Sequence, residues 1–436
     1  MFQSTSGGNG SGVGAGVGDG AFHNGFLHGG VSDGAQLTRS RPRRGSRRRL
    51  HDQGPASEPR VSQQQEQHET ERPPRPCTDF DVAYFNSYAH LGIHEEMIKD
   101  RARTDTYKNA IFQHRDQIAG KVVLDVGCGT GILSIFCAQA GAKRVYAVDA
   151  SNIAVQANEV IKANNLSGTV IVLHGRVEDV EIDEKVDVIV SEWMGYMLLY
   201  ESMLGSVITA RDRWLKPGGL ILPSYATLYM APVSYPERYS ESVDFWRNVY
   251  GIDMSAMMPL AKQCAFEEPS VEMISGENVL TWPHVVKHVD CSTLTIDELE
   301  TVSTRFTFKS MMRAPFHGFA FWFDVEFGGP SINTSKSNNA QPALVAAQDD
   351  TGTGTDNRKK RANPSEGLVL STAPEAPPTH WQQTLIYFYD PIEVEQDQVI
   401  EGSVTLTQSK ENARFMNVHL EYSSGGRSFV KESVMR

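Results

Sequence analysis

The sequence predicts an α/β protein in which a doubly wound domain is followed by an antiparallel β-sandwich or β-barrel domain. Two observations support this prediction. Between residues 79 and 223, short apolar segments alternate with helical segments, as in a parallel sheet that is covered on both faces. After Pro223 the apolar residues recur at every second position, which is typical of antiparallel strands. The expected folded domains are therefore residues 79–223 and 224–436.

The first domain contains one upstream helix and four strand candidates. The apolar face of the upstream helix consists of Tyr107, Ala110, Ile111 and Ile118. The strands are expected at Val122–Val126, Val145–Val148, Val170–Leu173 and Val186–Val190. The helix Ile132–Ala140 should end at Gly141, because glycine readily adopts the left-handed conformation that terminates a helix.

The second domain combines alternating strands with a helical excursion. Strict alternation of apolar residues predicts strands over residues 319–327 and 416–422. Between them, Trp246, Tyr250, Met254 and Met257 recur at helical spacing. This spacing fits two interpretations, a helical arm near 235–262 that contacts another subunit or a helix of the internal core.

Two segments lack the composition of a folded domain. Residues 1–78 contain twelve glycines before residue 35 and an arginine run at 39–49, so we expect a disordered Gly/Arg-rich arm. Residues 331–366 contain no aromatic side chain and are expected to be a disordered insertion. The run at 39–49 and the basic residues 358–361 fit nuclear import signals. The run at 39–49 also fits a nucleic-acid patch, or simply a solvated linker.

Composition excludes several classes of protein. The chain has 436 residues, 40% of them hydrophobic, which is ample for a core and rules out a wholly disordered protein. No run approaches 18 apolar residues, so no membrane-spanning helix is expected. The first residues are Gly-rich and are followed by an arginine run without an apolar segment, so no secretory signal is expected either. Five irregularly spaced cysteines fit reduced thiols inside a cell, rather than disulfides or a zinc site.

Charge is distributed unevenly along the chain. Residues 1–80 have a net charge of +2, whereas the remainder has a net charge of −14. An acidic body argues against nucleic-acid binding by the folded part and fits a cationic partner.

The strongest local motif is the sequence from Asp125 to Gly131, with glycines at 127, 129 and 131. A strand leads into this turn and a helix follows it, so a ligand can approach the backbone closely. Ile132 breaks the dinucleotide fingerprint, and the spacing is instead the one used by methyltransferases that bind S-adenosylmethionine. Asp149 ends the second strand and is placed to accept hydrogen bonds from a ribose. The alternative is that the glycines serve only tight packing.

A second motif, Ser191 to Met203, contains two acidic residues. Glu192 follows the fourth strand, and Glu201 comes nine residues later after a Gly-Tyr turn. A loop could bring the two carboxylates together, and because like charges repel they would need a cation between them. A planar guanidinium suits that arrangement better than an ammonium does. Spacing alone is equally compatible with two solvated loop acids.

Taken together, four segments resemble the type I protein arginine N-methyltransferases. They are Tyr84–Thr104, the glycine motif, Ser191–Met203 and Thr379–Trp381, and they occur in the family's order. The resemblance covers about residues 79–436. Residues 317–323 and 368–374 resemble the type 6 subgroup and its plant branch.

The resemblance implies roles for individual residues. Glu192 and Glu201 match the glutamates that hold the substrate guanidinium. Cofactor contacts match at His94, Arg103 (methionyl carboxylate), Gly127, Asp149 (ribose) and Glu178 (adenine). Tyr84 and Tyr88 match a helix that folds over the cofactor, His380 and Asp100 match a paired histidine and acid, and Met97 and Met203 match methionines that line the pocket.

The family's properties are expected of this chain as well. The resemblance implies an S-adenosylmethionine-dependent methyltransferase domain, a β-barrel domain with a dimerisation arm, mono- and asymmetric dimethylarginine as products, and a homodimer. It further implies protein substrates such as histone tails and Gly/Arg-rich proteins, in the nucleus and also in the cytoplasm.

Two departures and two rival functions accompany this interpretation. Asp149 stands where most members carry the longer glutamate, and most members lack the 331–366 insertion. A methyltransferase for small molecules or RNA would share the glycine motif but would not need the paired glutamates. A catalytically inactive scaffold that keeps the fold as a binding module would need neither the glycine motif nor the paired glutamates.

Overall fold

Four helices precede the first strand of the protein. The structure, a computed structural model, describes residues 76–328 and 367–436. The helices are α1 (Asp79–Ser87), α2 (Leu91–Lys99), α3 (Arg101–Gln113) and α4 (Arg115–Ile118). Asp100 caps α3 by accepting a hydrogen bond from Arg103 N at 2.9 Å. The predictions of a disordered arm and a disordered insertion fall outside the described residues, except for residues 76–78.

A five-stranded parallel sheet follows. In chain order its elements are β1 (Val122–Val126), α5 (Ile132–Gln139), β2 (Arg144–Asp149), α6 (Ile153–Ala163), β3 (Val170–His174), β4 (Val186–Ser191), α7 (Leu204–Trp214) and β5 (Leu215–Leu222). The strand order is β3-β2-β1-β4-β5, with every pair parallel. The order reverses between β1 and β4, and at such a point the strand ends of a doubly wound sheet leave a crevice for ligands. The predicted doubly wound α/β fold is confirmed.

The remaining strands form two antiparallel sheets. They are β6 (Tyr225–Val233), β7 (Ser270–Glu272), β8 (His284–Asp290), β9 (Thr301–Lys309), β10 (Ala314–Phe327), β11 (Leu368–Ser371), β12 (Gln383–Val394), β13 (Val399–Gln408), β14 (Met416–Ser424) and β15 (Arg427–Met435). One sheet runs β7-β12-β10-β6-β8 with β11 beside β10, and the other runs β15-β14-β13-β9. A short helix, α10 (Asp297–Glu300), precedes β9. The predicted antiparallel barrel-type domain is confirmed.

Strand β10 is buried on both faces. Phe319 and Phe321 pack into the main core, as the alternation predicts, but Ala320 and Trp322 between them are buried as well. Their face packs against a second apolar cluster that includes Phe266, at the base of the helical excursion. A central strand that is covered on both faces has apolar residues at consecutive positions. The alternating pattern therefore predicts only one of the two buried faces of β10.

The helical excursion contains two short helices rather than one. Helices α8 (Pro236–Ser242) and α9 (Met258–Phe266) are separated by 3₁₀ turns at Asp244–Arg247 and Ser255–Met257. The helical spacing of Trp246, Tyr250, Met254 and Met257 therefore does not correspond to one continuous helix. The chain reverses at Tyr250, where φ is +52° and the side chain of Asn248 accepts a hydrogen bond from Gly251 N. A local side-chain hydrogen bond of this kind competes with helix formation.

Within residues 76–328 and 367–436, no helix combines the length and apolar character needed to cross a membrane.

Candidate active site

The glycine loop after β1 has a backbone that only glycine adopts at little cost. Gly127, Gly129 and Gly131 have φ of +72°, +53° and +83°. A Cβ added to Gly127 would lie 2.2 Å from Met203 Cε, and one added to Gly129 would lie 3.0 Å from His94 Nδ1. The predicted site residues Gly127 and His94 thus meet at the carboxyl edge of the sheet, together with Met203.

Asp149 connects the end of β2 to this loop. Its Oδ2 accepts a hydrogen bond from Gly129 N at 2.8 Å, and its Oδ1 accepts from Ser151 N at 2.8 Å and Ser151 Oγ at 2.7 Å. A carboxylate oxygen accepts about two hydrogen bonds, so Oδ2 retains the capacity to accept a ribose hydroxyl. The shorter side chain therefore still reaches the glycine loop, and its role toward ribose stays a prediction.

A buried acceptor lies beneath the same loop. Asp125 is fully buried at the centre of the parallel sheet, where its Oδ2 accepts a hydrogen bond from Ser134 Oγ at 2.6 Å. Its Oδ1 has no hydrogen-bond partner among the residues that the structure describes. Burial raises the pKa of Asp125 to about 7. An orphaned buried acceptor at a ligand-binding edge fits a site that takes a polar ligand or an ordered water.

Arg103 and Glu192 form a buried ion pair. Glu192 Oε2 accepts hydrogen bonds from Arg103 Nε at 3.1 Å and Nη2 at 2.9 Å. Both side chains are almost entirely buried, with exposed fractions of 6% for Arg103 and 8% for Glu192. Arg103 comes from α3 and Glu192 from the end of β4. The pair therefore joins a predicted cofactor contact to a predicted catalytic carboxylate and fixes the orientation of that carboxylate.

Glu201 is held by two tyrosines, Tyr84 of α1 and Tyr88, which directly follows α1. Its Oε2 accepts hydrogen bonds from Tyr84 Oη at 2.9 Å and Tyr88 Oη at 2.8 Å. Glu201 and Ser202 have φ of +71° and +61°, and Met197 and Leu198 of the same loop also have positive φ, so the loop holds four non-glycine residues in the left-handed region. Strain of this type is common at functional sites and persists only where the surroundings enforce it.

Opposing influences set the pKa of Glu201. Burial raises it, hydrogen bonds from Tyr88 and Tyr84 and the charge of Arg414 lower it, and the charge of Glu192 raises it again, so that the pKa of Glu201 lies above the usual value. Burial and the charge of Glu201 raise the pKa of both tyrosine hydroxyls well above their usual value. The tyrosines therefore keep the protons that they donate. A cation between the two carboxylates would favour the ionised form of Glu201.

The other two cofactor candidates lie on either side of the loop. His94 Nε2 lies 2.8 Å from the carbonyl oxygen of Tyr88, which connects α2 to the end of α1. Glu178 follows β3, and its Oε1 accepts a hydrogen bond from Ser206 Oγ at 2.6 Å while its Oε2 lies 3.4 Å from Arg176 Nε. The structure thus places Glu178 between β3 and α7, with a role toward adenine that stays a prediction.

His380 and Asp100 form the pair that the resemblance implies. His380 Nδ1 lies 2.7 Å from Asp100 Oδ2, and His380 N donates to the same oxygen at 2.9 Å. Burial opposes ionisation of Asp100, but hydrogen bonds from His380 and Arg103 lower its pKa below the usual value. The adjacent Trp381 donates through Nε1 to Met194 O at 2.9 Å, which attaches this loop to the Ser191–Met203 segment.

Two contacts of the site were not predicted from the sequence. Arg414, in the turn between β13 and β14, donates through Nη1 to the carbonyl of Glu201, and its Nη2 lies 2.7 Å from Asp81 Oδ1. Arg414 lies 213 residues from Glu201 along the chain. No motif marks either residue, because the contact exists only once the barrel packs against the methyltransferase-like domain.

Comparisons with known proteins agree with this geometry. A family model described as "Arginine methyltransferase oligomerization subdomain" matches residues 224–342 and 360–427, and one described as "Ribosomal protein L11 methyltransferase (PrmA)" matches residues 110–224. "Probable protein arginine N-methyltransferase 6" of Arabidopsis thaliana is 76% identical over 381 residues, covering 86% of this chain and 88% of the relative. "Protein arginine N-methyltransferase 6" of Danio rerio is 42% identical over 363 residues, covering 82% and 94%.

A solved structure shows the same fold. The "Trypanosoma brucei PRMT1 enzyme-prozyme heterotetrameric complex with AdoHcy" superposes with a TM-score of 0.67 at 31% identity, covering 80% of this chain and 100% of that chain. The chain therefore belongs to the type I protein arginine N-methyltransferases, in the type 6 group with its plant members, a family that methylates arginine in proteins with S-adenosylmethionine.

Proposed function

We propose that Glu192 and Glu201 hold the guanidinium of a protein arginine while it is methylated, first to monomethylarginine and then to asymmetric dimethylarginine. The supporting observation is the pair of largely enclosed carboxylates on one loop beside the glycine motif, one held by Arg103 and the other by two tyrosines. The charge of Glu192 raises the pKa of Glu201, which fits a site built for one delocalised cation.

The residues in and around the glycine loop fit S-adenosylmethionine. Asp149, Arg103, His94, Gly127 and Glu178 would hold it, and the orphaned acceptor of Asp125 supports a polar ligand there. When bound, the cofactor supplies an electrophilic methyl group on a sulfonium sulfur. No cluster of metal-ligating side chains occurs within residues 76–328 and 367–436.

The chain's own residues orient and polarise the guanidinium. Carboxylates on two of its nitrogens draw positive charge toward them, which leaves lone-pair character on the third. Arg103 fixes Glu192, and the tyrosines fix Glu201, so little reorganisation is needed during the reaction. The proton that leaves can pass to a glutamate of the pair or to His380, whose ring is held by Asp100.

One incubation tests this proposal directly. The purified chain, methyl-labelled S-adenosylmethionine and an arginine-rich peptide are combined, and the methylarginines are separated after acid hydrolysis. Asymmetric dimethylarginine is expected. Symmetric dimethylarginine, or no methylarginine while calorimetry still shows cofactor binding, would contradict the proposal.

We further propose cationic nuclear substrates such as histone tails and Gly/Arg-rich proteins. The body of the chain carries a net charge of −14 after residue 80, which attracts basic tails. The arginine run at 39–49 and the basic residues 358–361 fit nuclear import. A fluorescent fusion expressed in cells tests the location, since neutralising both segments should reduce nuclear accumulation.

Finally, we propose that the chain forms a homodimer through its helical arm. Tyr250, at the tip of the arm, is 100% exposed, and Phe245, Ile252 and Leu260 are also more than half exposed. Val155 and Val160 leave a second apolar patch on α6. Two separate apolar patches on one chain fit a head-to-tail pair in which each arm covers the partner's α6. The match to a family model described as an oligomerization subdomain supports this assembly.

A further inference from the structure

The turn between β13 and β14 contacts two parts of the active site at once. Its residue Arg414 lies against α1 on one side and against the backbone of Glu201 on the other. The turn itself is ordered by local hydrogen bonds, from Arg414 N to Asn412 Oδ1 at 3.0 Å and from Phe415 N to Asn412 O at 2.9 Å. The barrel therefore presents a preformed guanidinium to the catalytic loop.

The contact with Glu201 runs in both directions. Glu201 N donates to Arg414 O at 3.0 Å, and Arg414 Nη1 donates to Glu201 O at 2.9 Å. These two hydrogen bonds hold the N–H and the carbonyl group of Glu201, whose backbone is strained at a φ of +71°. A strained backbone persists only where its surroundings hold it, and Arg414 satisfies both polar backbone groups of Glu201.

The contact with α1 combines charge and stacking. Arg414 Nε donates to Asp81 Oδ1 at 3.0 Å, and the guanidinium carbon lies 3.7 Å from the ring centroid of Tyr84. The other oxygen of Asp81 accepts from Thr78 N and Oγ1, so Asp81 also closes the capping box of α1. Tyr84 is one of the two hydroxyls that hold the Glu201 carboxylate.

We propose that Arg414 is a positioning residue of the barrel that holds α1 and the strained Glu201 in their active arrangement. The inference rests on the proposed role of Glu201. It makes closure of α1 over the site dependent on the barrel, because one guanidinium bonds both elements. A lysine could not replace it, since an ammonium lacks the planar fork and does not stack flat on the tyrosine ring.

Two measurements on the full chain test this proposal. Hydrogen exchange of residues 79–88 and 196–202 reports the positions of α1 and the loop without any reaction. Arg414→Ala should increase exchange there about tenfold, the factor expected when a hydrogen bond between charged groups is lost. Arg414→Lys should retain part of the α1 protection through its charge, yet lose the part of the 196–202 protection that depends on the guanidinium bond to Glu201 O, since the backbone bond from Glu201 N to residue 414 remains.

Steady-state kinetics provide the second measurement. Displacing a catalytic group by about 1 Å can cost roughly 100-fold in rate, so kcat should fall by about that factor in Arg414→Ala. Asp81→Asn retains the Glu201 contact and should mainly raise KM. The matched control is Arg313→Ala, which breaks an exposed ion pair with Glu395 on the same barrel and should leave both parameters unchanged.

The outcomes separate this proposal from the proposed function. Wild-type activity tests the function, whereas exchange tests the positioning role even if activity is absent. Unchanged exchange in α1 and the loop of Arg414→Ala would overturn the positioning role, as would faster exchange spread evenly over the whole chain. Strictly additive effects of Asp81→Asn and Arg414→Ala on α1 exchange would also contradict it, because the two residues would then act independently.

Discussion

At the residue scale, burial and hydrogen bonding act in opposite directions on Glu201. Burial raises its pKa, whereas the hydroxyls of Tyr88 and Tyr84 lower it. In the proposed function the ionised form of Glu201 holds the guanidinium, so these two hydroxyls should extend the pH range in which the site binds substrate. The ring of Tyr84 also contacts the guanidinium of Arg414, and a phenylalanine at position 84 would keep that contact while losing the hydroxyl.

Tyr84→Phe is therefore expected to shift the pH dependence of kcat/KM rather than lower kcat/KM by the same factor at every pH. Without one hydrogen bond to its ionised form, Glu201 has a still higher pKa, and the acidic limb of kcat/KM moves to higher pH. Tyr146→Phe, which removes a hydroxyl that donates to Glu184 rather than to Glu201, is the matched control. A uniform loss of activity at every pH would show that Tyr84 is only structural.

Glu192 tests the electrostatic part of the mechanism. Glu192→Gln preserves shape but removes the charge, and losing one preorganised electrostatic contact costs about 100- to 1,000-fold in kcat. Cofactor affinity, measured by calorimetry, should change far less. Glu395→Gln, at an exposed ion pair with Arg313, is the control for losing a negative charge. Turnover of Glu192→Gln near the wild-type value would contradict the two-carboxylate model.

At the element scale, the loop between β1 and α5 is the part of the fold that we expect to contact the cofactor. Gly127→Ala places a Cβ at φ +72°, which costs about 1–2 kcal/mol for an L-residue, and the Cβ also collides with Met203. We expect a lower unfolding midpoint and weaker binding of S-adenosylmethionine by calorimetry. The control is Gly205→Ala in α7, where a Cβ meets nothing within 4 Å and helix propensity improves. Equal cofactor affinity of Gly127→Ala and the control would refute this role.

At the scale of the whole molecule, the arm and α6 leave two apolar patches exposed. Leu260→Glu places a charge on the arm and should shift the protein from dimer to monomer in sedimentation equilibrium, because an unpaired charge is costly in an apolar interface. Val399→Glu changes an exposed apolar residue of the barrel sheet and should leave assembly unchanged. A Leu260→Glu protein that still dimerises would place the interface elsewhere.

The sequence by itself determined the order of elements and most of the site. Parallel strands end at a common edge, so the acidic residue that ends β2 and the one that follows β4 had to lie near the glycine loop. The proximity of Asp149 to Gly129 follows from this rule. The helical spacing around Tyr250 does not correspond to a single helix. The Asn248 side chain accepts a hydrogen bond from Gly251 N and stabilises a turn, which outweighs periodicity over so short a segment.

Only the tertiary structure decided which partners hold the two glutamates. Arg103 pairs with Glu192 across 89 residues, and Arg414 bonds Glu201 across 213. Local periodicity describes which face of an element is buried, but not which polar group meets which when two domains pack. A charged side chain in a turn looks solvated in the sequence, and its role appears only when a strained backbone and a helix lie within reach of its guanidinium.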